Sequence, residues 1–174
     1  MFIRSVSRTI AGLTSAAALS AALTVALAPA AVQAQEAWKT VGDWSIVVEE
    51  ESGNGCLMQK TFDDGILLQF GLLPERDGGF FAAYNQDWTF IEEGVEAPVK
   101  FHFDGIEFNG ESEGYISGPW YGGFVFTNNV ALVYEFAKKT EMTVTAGDNA
   151  PVTLSLDGTL NGVEELIACQ AAQS

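Results

Sequence analysis

Two cysteines, one histidine and 23 acidic side chains form most of the reactive inventory of this 174-residue chain. His102 would have to be the base of any Ser-His-Asp or Cys-His site. No Gly-x-Ser-x-Gly elbow presents a serine to it. It also falls on the polar side of the alternating stretch Val99-Lys100-Phe101-His102-Phe103, which makes it a surface residue. A zinc site needs several Cys or His ligands, more than the sequence supplies. Calcium needs only oxygens, but no segment carries the spaced Asp/Asn ligands of a calcium loop, and Asp63-Asp64-Gly65 fits a hairpin turn. Glycine-rich phosphate loops are absent from the sequence. The expectation is no cofactor, no metal and no catalytic residue.

Paired carboxylates are the remaining route to catalysis, since two acids facing each other across a cleft can hydrolyse a glycoside. Glu92-Glu93 and Glu164-Glu165 fit solvated faces better. A carboxylate-dependent hydrolase of envelope glycans, or a calcium-dependent adhesion module, therefore stands second to a binding protein. The aromatic residues are the candidate binding groups. Asn85-Gln86-Asp87-Trp88 and Gly118-Pro119-Trp120-Tyr121-Gly122-Gly123 place Trp88, Trp120 and Tyr121 in polar, turn-rich sequence. Exposed rings on a rigid β scaffold stack on sugars or anchor protein partners. The competing explanation is packing across the open ends of a sandwich or barrel, where tryptophan is mostly buried. Cys56 and Cys169 lack the Cys-x-x-Cys spacing of a redox pair. In an oxidising compartment an even pair is joined, so they are expected to form a disulfide tying the C-terminal segment to an early strand.

That compartment is suggested by residues 1–34. Arg4 and Arg8 precede an uncharged run from Thr9 to Ala34, Pro29 interrupts any helix, and Val32-Gln33-Ala34 offers small residues for a peptidase. The pattern is that of a secretory signal peptide cleaved between Ala34 and Gln35. An uncleaved anchor competes, but Ser, Thr and Ala fill much of the run, whereas insertion depends on strongly apolar residues. The expectation is a periplasmic or secreted protein with no stable membrane insertion after cleavage. Residues 35–174 have the size of one domain. Arg4 and Arg8 fall in the leader, leaving six cations against 23 acids, a formal charge of −17. This acidic field excludes nucleic acid and anionic membrane as partners.

The elements that must position these groups are mostly strands. Trp44, Ile46 and Val48 alternate over 43–49. Cys56 to Phe62 and Ile66 to Leu72 flank a hairpin turn, and Phe80–Tyr84 follows the loop that begins at Pro74. Val99–Phe103, Ile106–Asn109, Tyr115–Ser117 and Phe124–Thr127 add four more. Two segments have helical periodicity: 130–139, capped by Asn128 or Asn129, and 160–170, capped by Thr159 with Val163, Leu166 and Ile167 inward. The fold class is mainly β, a β-rich α+β domain built as an antiparallel sandwich, curved sheet or barrel with these two helices.

Gly42-Asp43-Trp44-Ser45-Ile46-Val47, Gly55-Cys56-Leu57-Met58, Met142-Thr143-Val144, and Val152 through Gly158 before a helix ending in Cys169-Gln170 carry a family resemblance. In this order they resemble a group of small secreted proteins of Gram-negative bacteria. They are more distantly similar to the invasion-associated locus B family, which shares the early Gly-Asp-Trp-type strand and a late Ser-Leu-x-Gly before a helix. The resemblance implies a periplasmic location and no known catalytic activity, and it transfers no functional residue. The chain is thus expected to be a non-catalytic, disulfide-stapled protein that binds a protein or cell-envelope component.

Overall fold

Side-chain alternation separates the two faces of every early strand, and the same alternation fixes which strands can share a sheet. The computed structural model describes residues 35–49, 53–73 and 78–173, apart from the side chain of Val130. The expected leader at 1–34 lies outside the described residues, as do 50–52 of the polar turn and 74–77 of the loop carrying Arg76. The strands are β1 (Glu36–Val41), β2 (Trp44–Glu49), β3 (Gly55–Thr61), β4 (Leu67–Leu72), β5 (Gly79–Asn85), β6 (Glu96–Phe103), β7 (Ile106–Ser117) and β8 (Trp120–Thr127). Helix α1 (Val130–Lys138) leads to β9 (Glu141–Ala146) and β10 (Val152–Ser155), and α2 (Thr159–Ala172) follows.

The ten strands form one open sheet in the order β1-β2-β3-β4-β5-β8-β7-β6-β9-β10, every neighbouring pair antiparallel. Strands β1 to β5 are a meander, and β8 then lies alongside β5, so that β6 to β8 run back in reverse order. Helix α1 carries the chain from β8 to β9, which pairs with β6. Its start is capped as expected: the Asn129 Oδ1 accepts a hydrogen bond from the Ala131 N–H at 3.1 Å. No helix among the described residues is long and apolar enough to cross a membrane.

One face of the sheet, the inner face, carries Trp44, Ile46 and Val48 from β2, Cys56 and Met58 from β3, Leu68 and Phe70 from β4 and Phe81 from β5, all buried. Helix α2 packs over β1 to β4 and α1 packs against α2. Phe136 of α1 is the centre of this core, with ring centroids 4.9 Å from Phe81, 5.2 Å from Phe70 and 6.1 Å from Trp44. Close approach of α2 depends on Gly162, where a Cβ would meet the Met58 Cε at 2.6 Å.

Three sequence expectations are corrected here. Ile167, expected inward with Val163 and Leu166, is 56% exposed, because α2 turns only the side with Gly162, Val163, Leu166 and Cys169 to the sheet. Ile106–Asn109 and Tyr115–Ser117 are parts of a single 12-residue strand, β7, because Gly110 and Gly114 lie within the ladder instead of ending it. Thr159 is not the cap of α2. Gly158, in the left-handed region at φ 78°, holds that position without a side-chain bond, while the Thr159 hydroxyl donates back to the Leu156 carbonyl. Buried threonine is thereby satisfied by the turn that precedes it.

The expected disulfide is present between β3 and α2, with Cα atoms of Cys56 and Cys169 6.1 Å apart across 113 residues of sequence. The Cys56 N–H also donates to the Gln170 Oε1 at 2.9 Å. By the chain-entropy relation, closing such a loop contributes up to about 4–5 kcal/mol. Replacing both cysteines by serine should lower the melting temperature by on the order of 10–20 °C, measured by calorimetry; an unchanged melting temperature would contradict a stapling role.

A second tie joins β1 to α2. The Glu165 carboxylate accepts from the Lys39 Nζ at 2.6 Å and from the Trp38 Nε1 at 2.9 Å. The Lys39 bond first, and the Trp38 bond after it, hold this carboxyl below its ordinary range. A folded-state pKa below the unfolded one gives a contribution that is present above the ordinary carboxylate range and lost as pH falls through the folded value. The Trp38 indole NMR signal should therefore shift only in acid, and Glu165→Gln should abolish that step.

Candidate functional site

Part of the inner face beyond β5 has no residue of either helix against it. Beyond β5, Phe103 of β6 and Met142 of β9 join Phe136 in the fully buried core, and the other inward residues include Val125 of β8, Val99 and Phe101 of β6, Val144 and Ala146 of β9 and Leu154 of β10. Between them and the β4–β5 edge of the packed core, at Leu68, Phe81 and Ala83, lies a cavity of about 710 Å³. No residue of α1 or α2 lines it. Its size is within the range of small-molecule sites, and its walls are overwhelmingly apolar.

The remaining wall is the segment 86–95. Buried Asn85 launches it: its Nδ2 donates to the Asp64 carbonyl at 3.0 Å, and its Oδ1 accepts from the Asp87 N–H at 2.8 Å. The segment returns to the sheet at Gly114, where the Gly94 N–H donates to the Gly114 carbonyl and the Gly114 N–H to the Val95 carbonyl. A Cβ at position 114 would stand 2.2 Å from the Glu92 carbonyl oxygen, so glycine lets this segment lie against the inner face. Trp88 is half-buried against the cavity, while Phe90 and Val95 are more than half exposed at its edge. Exposed Glu92 and Asn149 give the same rim its polar groups.

The opposite, outer face of the sheet holds a second concavity of about 640 Å³. Tyr84, Tyr115, Trp120 and Phe124 line it together with Gln59 and Gln69. Burial first, and Tyr115 beside it, push the Tyr84 hydroxyl up to about 12, so this phenol is neutral throughout the physiological range.

The three aromatic residues singled out in the sequence are not brought together. Trp88 lines the inner cavity and Trp120 the outer concavity. Tyr121 follows Trp120 in β8 and so points to the opposite side of the sheet, in register with Asn85 and Ile116. Sequence reasoning missed Tyr84, Tyr115, Phe124 and the two glutamines. Their signal was the period-two pattern Trp120, Gly122, Phe124, Phe126 and its partner Phe80, Ala82, Tyr84.

Among the described residues Glu92 is the one acid lining the inner cavity and Glu49 the one lining the outer, so neither lining pairs two described carboxylates as a glycosidase does. His102 lies on the exposed side of β6, where its Nε2 accepts from the Gly105 N–H at 3.3 Å. Among the described residues no three His, Cys, Asp or Glu side chains gather as a metal site would require.

No protein-family model matches the chain, and no curated protein sequence matches it. Among solved structures, the fold is similar to that of invasion associated protein B from Bartonella henselae, with a TM-score of 0.57 and 16% identity over 76% of this chain and 97% of that one. The motifs that carried the sequence resemblance meet in space, because the Trp44 indole N–H donates to the Asp157 carbonyl at 3.1 Å. The likeness is one of fold: an antiparallel sheet shared with invasion associated protein B.

Proposed function

We propose that this chain is exported, and that residues 35–174 act outside the cytoplasm as a non-catalytic binding protein for a cell-envelope component, taking an uncharged acyl chain or similar apolar group into the inner cavity. The observation that carries this reading is the apolar cavity on the inner face, which no residue of α1 or α2 lines; Phe101, Val125 and Leu154 wall it while also belonging to the buried core. Protein interiors normally leave few voids larger than a water molecule, and an apolar cavity binds apolar guests. Export is supported by the leader pattern in residues 1–34 and by the disulfide, which belongs to an oxidising compartment.

Charge narrows the guest. Glu92 stands at the rim of a chain with a formal charge of −15, so a carboxylated or phosphorylated head group meets like charge where an uncharged one does not. The guest is expected to be an acyl chain with a neutral head.

N-phenyl-1-naphthylamine should brighten on mixing with the purified domain, and monododecanoyl glycerol should displace it more effectively than dodecanoate. Ala83→Phe places a ring in the cavity from the wall of β5; it should weaken probe binding about tenfold or more, with the melting temperature held. A variant that melts like the parent and still binds the probe equally would refute the reading.

A further inference from the structure

The outer face offers a different chemistry from the cavity behind it. We propose that the outer face of β3-β4-β5-β8-β7 binds neutral, β-1,4-linked glycan chains, stacking the sugar rings on its aromatic residues and taking their hydroxyls on its glutamine amides.

The register lays out the platform. One row across the strands is Gln59, Gln69, Ala82, Phe124, and the next is Thr61, Leu67, Tyr84, Gly122, Tyr115. Two of the rings lie down on the sheet instead of standing out from it. A Cβ at Gly71 would be 2.2 Å from the Phe80 Cε1, and one at Gly122 would be 2.4 Å from the Tyr84 Cδ1. Each ring thus lies over the backbone of a glycine on the neighbouring strand, Phe80 half-buried and Tyr84 buried, as part of the floor of the concavity. Tyr84, Tyr115, Phe124 and Phe126 then follow one another with centroids 6.3, 6.1 and 5.1 Å apart. Tyr115 and Phe126 are 41% and 47% exposed. Successive rings stand edge-on to one another, at 65, 75 and 65°, so a pyranose ring lays its apolar C–H face on exposed Tyr115 or Phe126, and an extended β-1,4-linked chain carries further sugars along the same row.

The polar half of the platform is directional. The Gln69 Nε2 donates to the Gln59 Oε1 at 2.9 Å, the Gln59 Nε2 to the Gln35 Oε1 at 3.2 Å, and the Gln35 Nε2 to the Glu49 Oε2 at 2.8 Å. This relay uses one N–H of each amide and leaves the second N–H of each, together with the Gln69 Oε1 beside the aromatic rows, for sugar hydroxyls. Charge sets the class of sugar. The described residues lining this concavity include Glu49 and no Lys or Arg, and Glu113 stands in register with Phe124. A uronic-acid or phosphorylated glycan is repelled here, as is nucleic acid, whereas a neutral chain has no charge to be repelled.

The test is calorimetric titration of residues 35–174 with cellohexaose and chitohexaose, with oligogalacturonate as the anionic control. Saturable binding of at least one neutral hexaose is expected, unchanged between low and high salt, with none to oligogalacturonate. Tyr115→Ala and Trp120→Ala should each weaken it about tenfold. Gln69→Ala, which keeps every ring, should weaken it as well. Ala83→Phe, which fills the inner cavity, should leave it unchanged, so this proposal and the acyl-chain reading fail separately. Absence of binding to both neutral hexaoses at millimolar concentration overturns it. So does equal binding by a Tyr115→Ala, Trp120→Ala double variant that melts like the parent, or capture of a protein partner through the same rings with no sugar bound.

Discussion

Everything about the inner face follows from how tightly α2 is held to the first strands. Three contacts act together: the Cys56–Cys169 disulfide, the Trp44 indole bonded to the Asp157 carbonyl, and the close approach over Gly162. They place the C-terminal helix over β1 to β4. Helix α1 packs beside it, with Phe136 in the aromatic cluster of Trp44, Phe70 and Phe81. Two helices so placed leave part of a ten-stranded sheet without a helix against it. That part must be filled by its own side chains, by the segment 86–95, or by a guest, and the cavity marks where the first two fall short.

The outer face is built on a different principle. Glycine within a strand ordinarily weakens it and marks close approach of another group. Gly71 and Gly122 admit rings that lie across the strands, and Gly114 admits backbone on the inner side. An antiparallel sheet with one face packed against helices leaves the other to solvent. Over β3 to β5 and β8 that second face is aromatic and amide-rich, while over β6 and β7 it carries Glu96, Lys100, Glu107, Glu111 and Glu113. The two concavities thus differ in chemistry as well as in side: one apolar, the other lined with rings and glutamines.

Much of this was legible in the sequence. Alternation located β2 to β6, periodicity located both helices, and Cys56 and Cys169 were the pair that had to join. The misreadings share a cause. Glycines were taken as strand ends, which split β7 at positions where neighbours press on the backbone. Trp120 and Tyr121 were grouped because they are adjacent, although adjacency within a strand sends side chains to opposite faces. The relay from Gln69 to Glu49 was invisible because it joins β4, β3, the start of the domain and β2 through register. The cavity could not be anticipated either, since it depends on which strands the helices leave uncovered.

The central claim is that the uncovered part of the inner face is a binding site in its own right. Methyl-resolved NMR of the domain, titrated with monododecanoyl glycerol, tests this most directly. The account predicts that perturbations concentrate on Val99, Val125, Val144 and Leu154. Perturbations centred on Leu160 and Ile167, on the exposed side of α2, or none at saturating lipid, would contradict it.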